Sequence, residues 1–197
     1  MRATRFTSVV AAAVLGLVTP LIATATVAPA HAAGTTTISF EDVPASCAFA
    51  SAQPLRNRYA AAKFSGPNFT DGGAVLDNCA NFGIAPRTGS RFLAFRTGGV
   101  LLANGGTARG PEKIMLPIRQ KSVSLWVSQS GFSLGTATFR MVGRRGSTVV
   151  RTASVTTTTA DWVKLQVASA RGLTSVTVST PTEPDGIWLA DDLTMRN

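Results

Sequence analysis

This sequence predicts an all-β fold, a two-sheet antiparallel β-sandwich of jelly-roll type. Three observations predict it. Short runs rich in threonine and valine alternate apolar with polar residues. Glycine, proline, asparagine and aspartate punctuate those runs at close spacing. No segment beyond residue 33 carries a helical period. Antiparallel sheets with one buried face are the natural outcome of such a pattern.

The elements follow in order. "TTTISFE" alternates into Ile38 and Phe40 and reads as the first strand. "KFSGPNFT", "GAVLDN" and "RFLAFRT" come next, parted by turn residues. "VSLWVSQ" sets Val123, Leu125 and Val127 against Ser124, Trp126 and Ser128. "TATFRMV" alternates on Ala137, Phe139 and Met141, and "STVVRTASVT" returns after a turn carrying Arg144 and Arg145. "DWVKLQV" offers Val163, Leu165 and Val167, and "LTSVTVST" offers Val176 and Val178. "GIWLADDLTM" closes the series, with Ile187, Leu189, Leu193 and Met195 in one parity and Asp191 sharing it. The longest loop is expected over residues 44–58. The chain shows no internal repeat and no linker.

Residues 1–33 read as a secretory signal peptide. Arg2 and Arg5 precede an apolar run, and "APAHA" offers an A-x-A cleavage site. The expected mature domain, 34–197, is long enough for one core, and an extracellular, monomeric protein outside the membrane is expected. Removing the two leader arginines leaves 17 bases against 10 acids, a net +7. Such a balance favours anionic polymers such as cell-wall phosphates or acidic glycans. No nucleic-acid-binding module is recognisable. Cys47 and Cys79 in an oxidising compartment are expected to form a disulfide worth about 3 kcal/mol.

The single histidine, His31, belongs to the leader. Its loss from the mature chain removes Ser-His-Asp, Cys-His and histidine-metal catalysis. Paired carboxylates, as in a glycoside hydrolase or lyase, are the enzymatic alternative. Asp42 follows Glu41 at the end of the first strand, and Asp191 and Asp192 stand together in the last. If the first and last strands are neighbours, these four acids converge and repel unless a cation joins them. A structural Ca²⁺ is the simplest candidate, and backbone N–H groups or arginines are the other partners available.

"FEDVP", "GGAVLDNCANFG" followed by "RFLAF", "DWVKLQV" and a terminal "IWLADDL" together resemble galactose-binding-like jelly rolls. Domains of that kind occur among bacterial secreted carbohydrate-binding modules. The resemblance spans the mature chain and implies a structural calcium on Glu41 or Asp42 and on Asp191 or Asp192. Sugar recognition needs exposed aromatic platforms. Trp126 and Trp188 lie out of phase with their apolar neighbours, so both are expected on the outward face as ligand-binding residues. Trp162 and Tyr59 are expected to be packed. The expected function is a secreted, non-catalytic module that binds a glycan or cell-wall polymer. The remaining alternative is a cell-surface protein that holds anionic polymers by charge.

Overall fold

A computed structural model describes residues 34–44, 54–66, 74–77, 82–96, 108–109, 111–182 and 187–197. The chain divides into two compact units, Met1–Ala30 and His31–Asn197, and every described residue belongs to the second. The signal peptide expected over 1–33 lies outside the described residues. No helix among the described residues is long and apolar enough to cross a membrane.

The architecture is all-β and mostly antiparallel. The strands are β1 (Thr35–Ile38), β2 (Lys63–Ser65), β3 (Ala74–Asp77), β4 (Arg91–Arg96), β5 (Ala108–Arg109), β6 (Glu112–Gln129), β7 (Ala137–Arg145), β8 (Thr148–Thr157), β9 (Val163–Thr182) and β10 (Ile187–Arg196). They form one hydrogen-bonded network in the order β3-β4-β10-β6-β9-β7-β8. β1 pairs with β10, β2 with β6, and β5 with β4; among the described residues the β4–β5 pair alone is parallel. First and last strands are thus neighbours, as expected.

Two strands are much longer than the sequence suggests. A straight strand of 18 residues, the length of β6, would run about 60 Å. A domain of this size has a radius of gyration of only about 15 Å. β6 therefore has to bend. Its pairing with β9 shifts register between Met115 and Gln120 and again between Gln120 and Ser122. Its buried parity changes with the shift, from Ile114 and Leu116 to Val123, Leu125 and Val127. All five residues join the same core cluster, so both halves of the strand line one interior. That arrangement is consistent with a β-sandwich whose corner is turned by bulges. β9 likewise joins the two runs "DWVKLQV" and "LTSVTVST" into one strand, with Gly172 at φ +78° in the bend.

The last strand carries a bulge of its own. Asp191 registers with Trp126 and Thr194 with Ser124, so β10 has one residue more than its partner. Asp192 takes the left-handed conformation, φ +48°, that aspartate tolerates better than most residues. Trp188 and Ala190 face the main core before the bulge, and Leu193 and Met195 face it afterwards. Leu189 and Ile187 face a second cluster with Phe82, Phe92, Ala94 and Trp162. β10 is buried on both faces.

The expected disulfide is not borne out: none is present among the described residues, and Cys47 and Cys79 themselves lie outside them.

Candidate functional site

Residues 82–91 form a strap that lies across the second face of β10 and β6. The strap has no side-chain periodicity; its backbone groups make the connections. Gly131 N donates to Phe82 O at 2.6 Å, and Trp162 Nε1 donates to Ala85 O at 2.9 Å. Gly83 and Gly131 approach so closely that a Cβ on Gly131 would overlap the Gly83 carbonyl.

Asp191 meets this strap. It is 0 % exposed. Its Oδ2 accepts from Arg87 N at 3.0 Å and Thr88 N at 3.2 Å, and its Oδ1 accepts from Asp192 N at 2.7 Å. Asp192 accepts from Thr88 Oγ1 at 2.9 Å and forms an ion pair with the Arg87 guanidinium. Burial pushes the Asp191 carboxyl up to about 7; the N–H bonds from Thr88, Asp192 and Arg87 pull against that, while the Asp192 charge adds to it.

Glu41 holds the other end of the strap. Its carboxylate accepts from Ser90 N, Ser90 Oγ and Arg91 N at 2.9–3.0 Å. Arg91 Nη1 also donates to the Glu41 carbonyl at 2.8 Å. Gly89, at φ +62°, leaves the room this needs, because a Cβ there would overlap the Glu41 carboxyl. Asp42 points elsewhere. β1 ends at Ile38, and a turn closed by Val43 N to Phe40 O at 3.1 Å breaks the expected parity. Phe40 sits in this turn at φ +66°, a conformation costing about 1–3 kcal/mol, and edge-on contacts with Tyr59 and Phe64 hold it. Asp42 accepts from Tyr59 Oη at 2.7 Å and Arg58 Nε at 3.1 Å. Against the upward push of partial burial, those two partners hold the Asp42 carboxyl below its usual value, and burial with the same contact raises the Tyr59 hydroxyl.

The four acids therefore do not converge. Glu41, Asp191 and Asp192 are joined through one strap, and Asp42 belongs to a separate contact. A Ca²⁺ shell takes six to eight oxygen ligands. Here N–H, O–H and guanidinium donors surround the carboxylates. Among the described residues no group of three or more His, Cys, Asp or Glu could hold a metal ion. Glu41 and Asp42 do line a cavity of about 520 Å³ with Tyr59 and Thr36. A general acid requires a raised carboxyl facing its cavity. Asp42 is lowered, and the raised Asp191 is sealed beneath the strap.

The expected orientation of Trp188 is also corrected. Trp188 is 0 % exposed, stacked on Phe95 at 4.1 Å and 14°, with Phe139 at 6.3 Å. The bulge after Asp191 reverses the parity on which the outward reading rested. Trp126 does face outward and is partly buried, but the Arg87 guanidinium covers its ring, 3.9 Å from the centroid. Trp162 and Tyr59 pack as expected, on Phe92 and on Phe40 with Phe64. Among the described residues the exposed aromatic is Phe132, at 66 %, on the turn beside Gly83, with Leu134 almost fully exposed. The run "SGFSLG" has neither strand nor helix period, so its sequence gives no signal of a surface role. A second opening, about 320 Å³, is lined by Ile118, Arg119, Lys121 and Arg171 at the bend of β6 and β9.

No protein-family model matches the chain, and no curated protein matches it in sequence. Solved structures do match in fold. The K2 cleaved adhesin domain of Lys-gingipain matches with TM-score 0.50 at 13% identity, over 82% of this chain and 99% of that one. A DUF4465 family protein from Bacteroides caccae matches with TM-score 0.51 at 12% identity, over 82% and 98%. The K1 cleaved adhesin domain of Lys-gingipain from Porphyromonas gingivalis matches with TM-score 0.50 at 13% identity, over 82% and 97%. At these identities the likeness is one of fold. Of the expected likeness to galactose-binding-like carbohydrate-binding modules, the comparisons support the coarser part: an all-β domain distantly resembling bacterial adhesin and DUF4465 domains.

Proposed function

We propose that this chain is a secreted, non-catalytic binding domain of adhesin-like type, with a jelly-roll core and an extracellular glycan or cell-wall polymer as ligand. The supporting observation is coverage: the chain matches nearly the full length of two adhesin domains. The occupied carboxylates support the same reading, since no described pair combines a raised acid with an open cavity. In this proposal Phe132 is the apolar contact for ligand, and Trp126 is a secondary one beneath Arg87. A glycan array, followed by titration of the best ligand, tests it. Phe132→Ala is expected to weaken binding about tenfold with an unchanged melting temperature, because an exposed side chain contributes little to stability. No bound glycan or wall polymer in any format would overturn the proposal.

We further propose that arginine and backbone donors, rather than Ca²⁺, hold Glu41, Asp191 and Asp192. Purified protein is then expected to carry no stoichiometric metal and to melt at the same temperature with and without chelator. One equivalent of calcium per chain and a chelator-dependent melting temperature would assign the acids to the ion instead.

A further inference from the structure

The bases that look scattered in the sequence are gathered by strand register. On β6, Lys113, Arg119 and Lys121 share the parity opposite Ile114 and Leu116, so all three face outward. β2 contributes Lys63, opposite Met115, and β9 continues the same row with Ser175, opposite Arg144 of β7. The next row runs Ser65, Lys113, Thr177, Val142. Neighbouring strands lie about 4.8 Å apart and same-face residues about 6.6 Å apart along a strand, so Lys113, one strand and one row from Lys63, stands about 8 Å from it. That is within the Debye length of about 10 Å at 0.1 M salt, and the potentials of these two charges add.

The stripe continues along the strands to the bend. There Arg119, Lys121 and Arg171 line the 320 Å³ opening together with Ile118 and Asn197, and no Asp or Glu among the described residues lines it. Gly172, at φ +78°, lets the stem of Arg119 lie across β9; a Cβ at that position would overlap Arg119 Cγ and Cδ. The ion pairs among the described residues use Arg58, Arg87 and Arg91, and none uses a base of this stripe. The residues paired with Lys63, Lys113 and Arg144 are Met115, Ser65, Thr177, Ser175 and Val149, with no acid among them.

We infer that this face is a docking surface for a linear phosphodiester-linked glycopolymer, a refinement that rests on the binding-domain reading above. The charge of such a polymer lies in its backbone, so the stripe meets it whatever side groups it carries. Its anionic oxygens accept from lysine and arginine and from the interleaved, partly exposed hydroxyls of Ser65 and Thr177. A single-stranded nucleic acid fits less well, because no exposed aromatic ring among the described residues lies between these bases for stacking.

The test uses immobilised poly(glycerol phosphate), with dextran as neutral polymer, polygalacturonate as carboxylate polymer and oligo(dT) as nucleic acid. The parent is expected to bind poly(glycerol phosphate) at least tenfold more tightly than the other three, with log K falling linearly with log salt. The triple variant Arg119→Gln, Lys121→Gln, Arg171→Gln is expected to lose at least tenfold in affinity and to show a shallower salt slope, with its melting temperature unchanged. Lys164→Gln, on the other half of β9, is expected to stay within twofold of the parent. Equal binding by the triple variant, or equal affinity for dextran, polygalacturonate or oligo(dT), overturns the surface. If the triple variant is unaffected while Phe132→Ala still weakens glycan binding, the surface falls and the binding-domain reading stands. Absence of binding to any polymer or glycan removes both.

Discussion

Trp188→Ala is expected to lower the free energy of unfolding by about 3–5 kcal/mol, read as a lower denaturant midpoint at unchanged slope. The indole fills the middle of the interior, stacked on Phe95 of β4 and tilted against Phe139 of β7, two strands far apart in the sheet order. Removing it leaves a large cavity and forfeits a stacked aromatic pair worth about 1 kcal/mol beyond its buried area. Trp188→Phe separates shape from chemistry. The Trp188 Nε1 has no hydrogen-bond partner, so phenylalanine loses volume without orphaning a polar contact. It is expected to cost less than about 2 kcal/mol, well below alanine. The pair of variants also distinguishes packing from recognition. A ligand platform at Trp188 would show weakened binding with stability intact, whereas a core residue shows the reverse. An alanine variant as stable as the parent would mean the ring is not where the core places it.

The residues that were legible in the sequence are those whose alternation is uninterrupted. β7 is the clearest: Ala137, Phe139 and Met141 alternate with exposed or half-exposed neighbours, and the structure buries those three. The sequence hid features for three separate reasons. In β6, Pro117 and the outward-facing apolar residues Met115 and Ile118 obscure the alternation over 112–121, and proline normally argues against a strand interior. In β9, "SARGLT" looks like a turn because Gly172 supplies a left-handed bend, yet pairing resumes at Leu173. In β10 a single extra residue at the two aspartates exchanges the faces, so correct parity on one side becomes incorrect parity on the other. The candidate site was half legible. The acids were recognisable as a group in need of partners, and β1 does lie beside β10. The partners were not, because the strap and the neighbouring Asp192 answer Asp191 with backbone N–H groups that every residue possesses. No residue pattern records where such donors point.

That strap makes Asp191 a pH-dependent element of stability, and the sign is set by burial. Its folded carboxyl lies at about 7, above the ordinary 3.8. Between these values the folded protein holds a proton that the unfolded chain releases. The contribution to stability is complete below about pH 4 and is lost as pH rises through about 7. The gap corresponds to roughly 4 kcal/mol for a group wholly withdrawn from water. Asp191→Asn removes the titration while retaining one acceptor oxygen for the strap. Denaturation curves measured from pH 4 to 8 are therefore expected to converge or cross: the stability of Asp191→Asn relative to the parent should rise by roughly 4 kcal/mol across that range. Groups that titrate alike in both proteins cancel in the difference. Asp191→Ala supplies the opposing limit, since it deprives Arg87 N, Thr88 N and Asp192 N of their acceptor at every pH, at about 1–3 kcal/mol for each donor left buried. Parallel curves for the parent and Asp191→Asn would show that the three N–H bonds keep the carboxylate ionised in the folded state. The strap would then act as an anion cradle strong enough to offset complete burial, and breaking the Arg87–Asp192 pair by Arg87→Ala should loosen it.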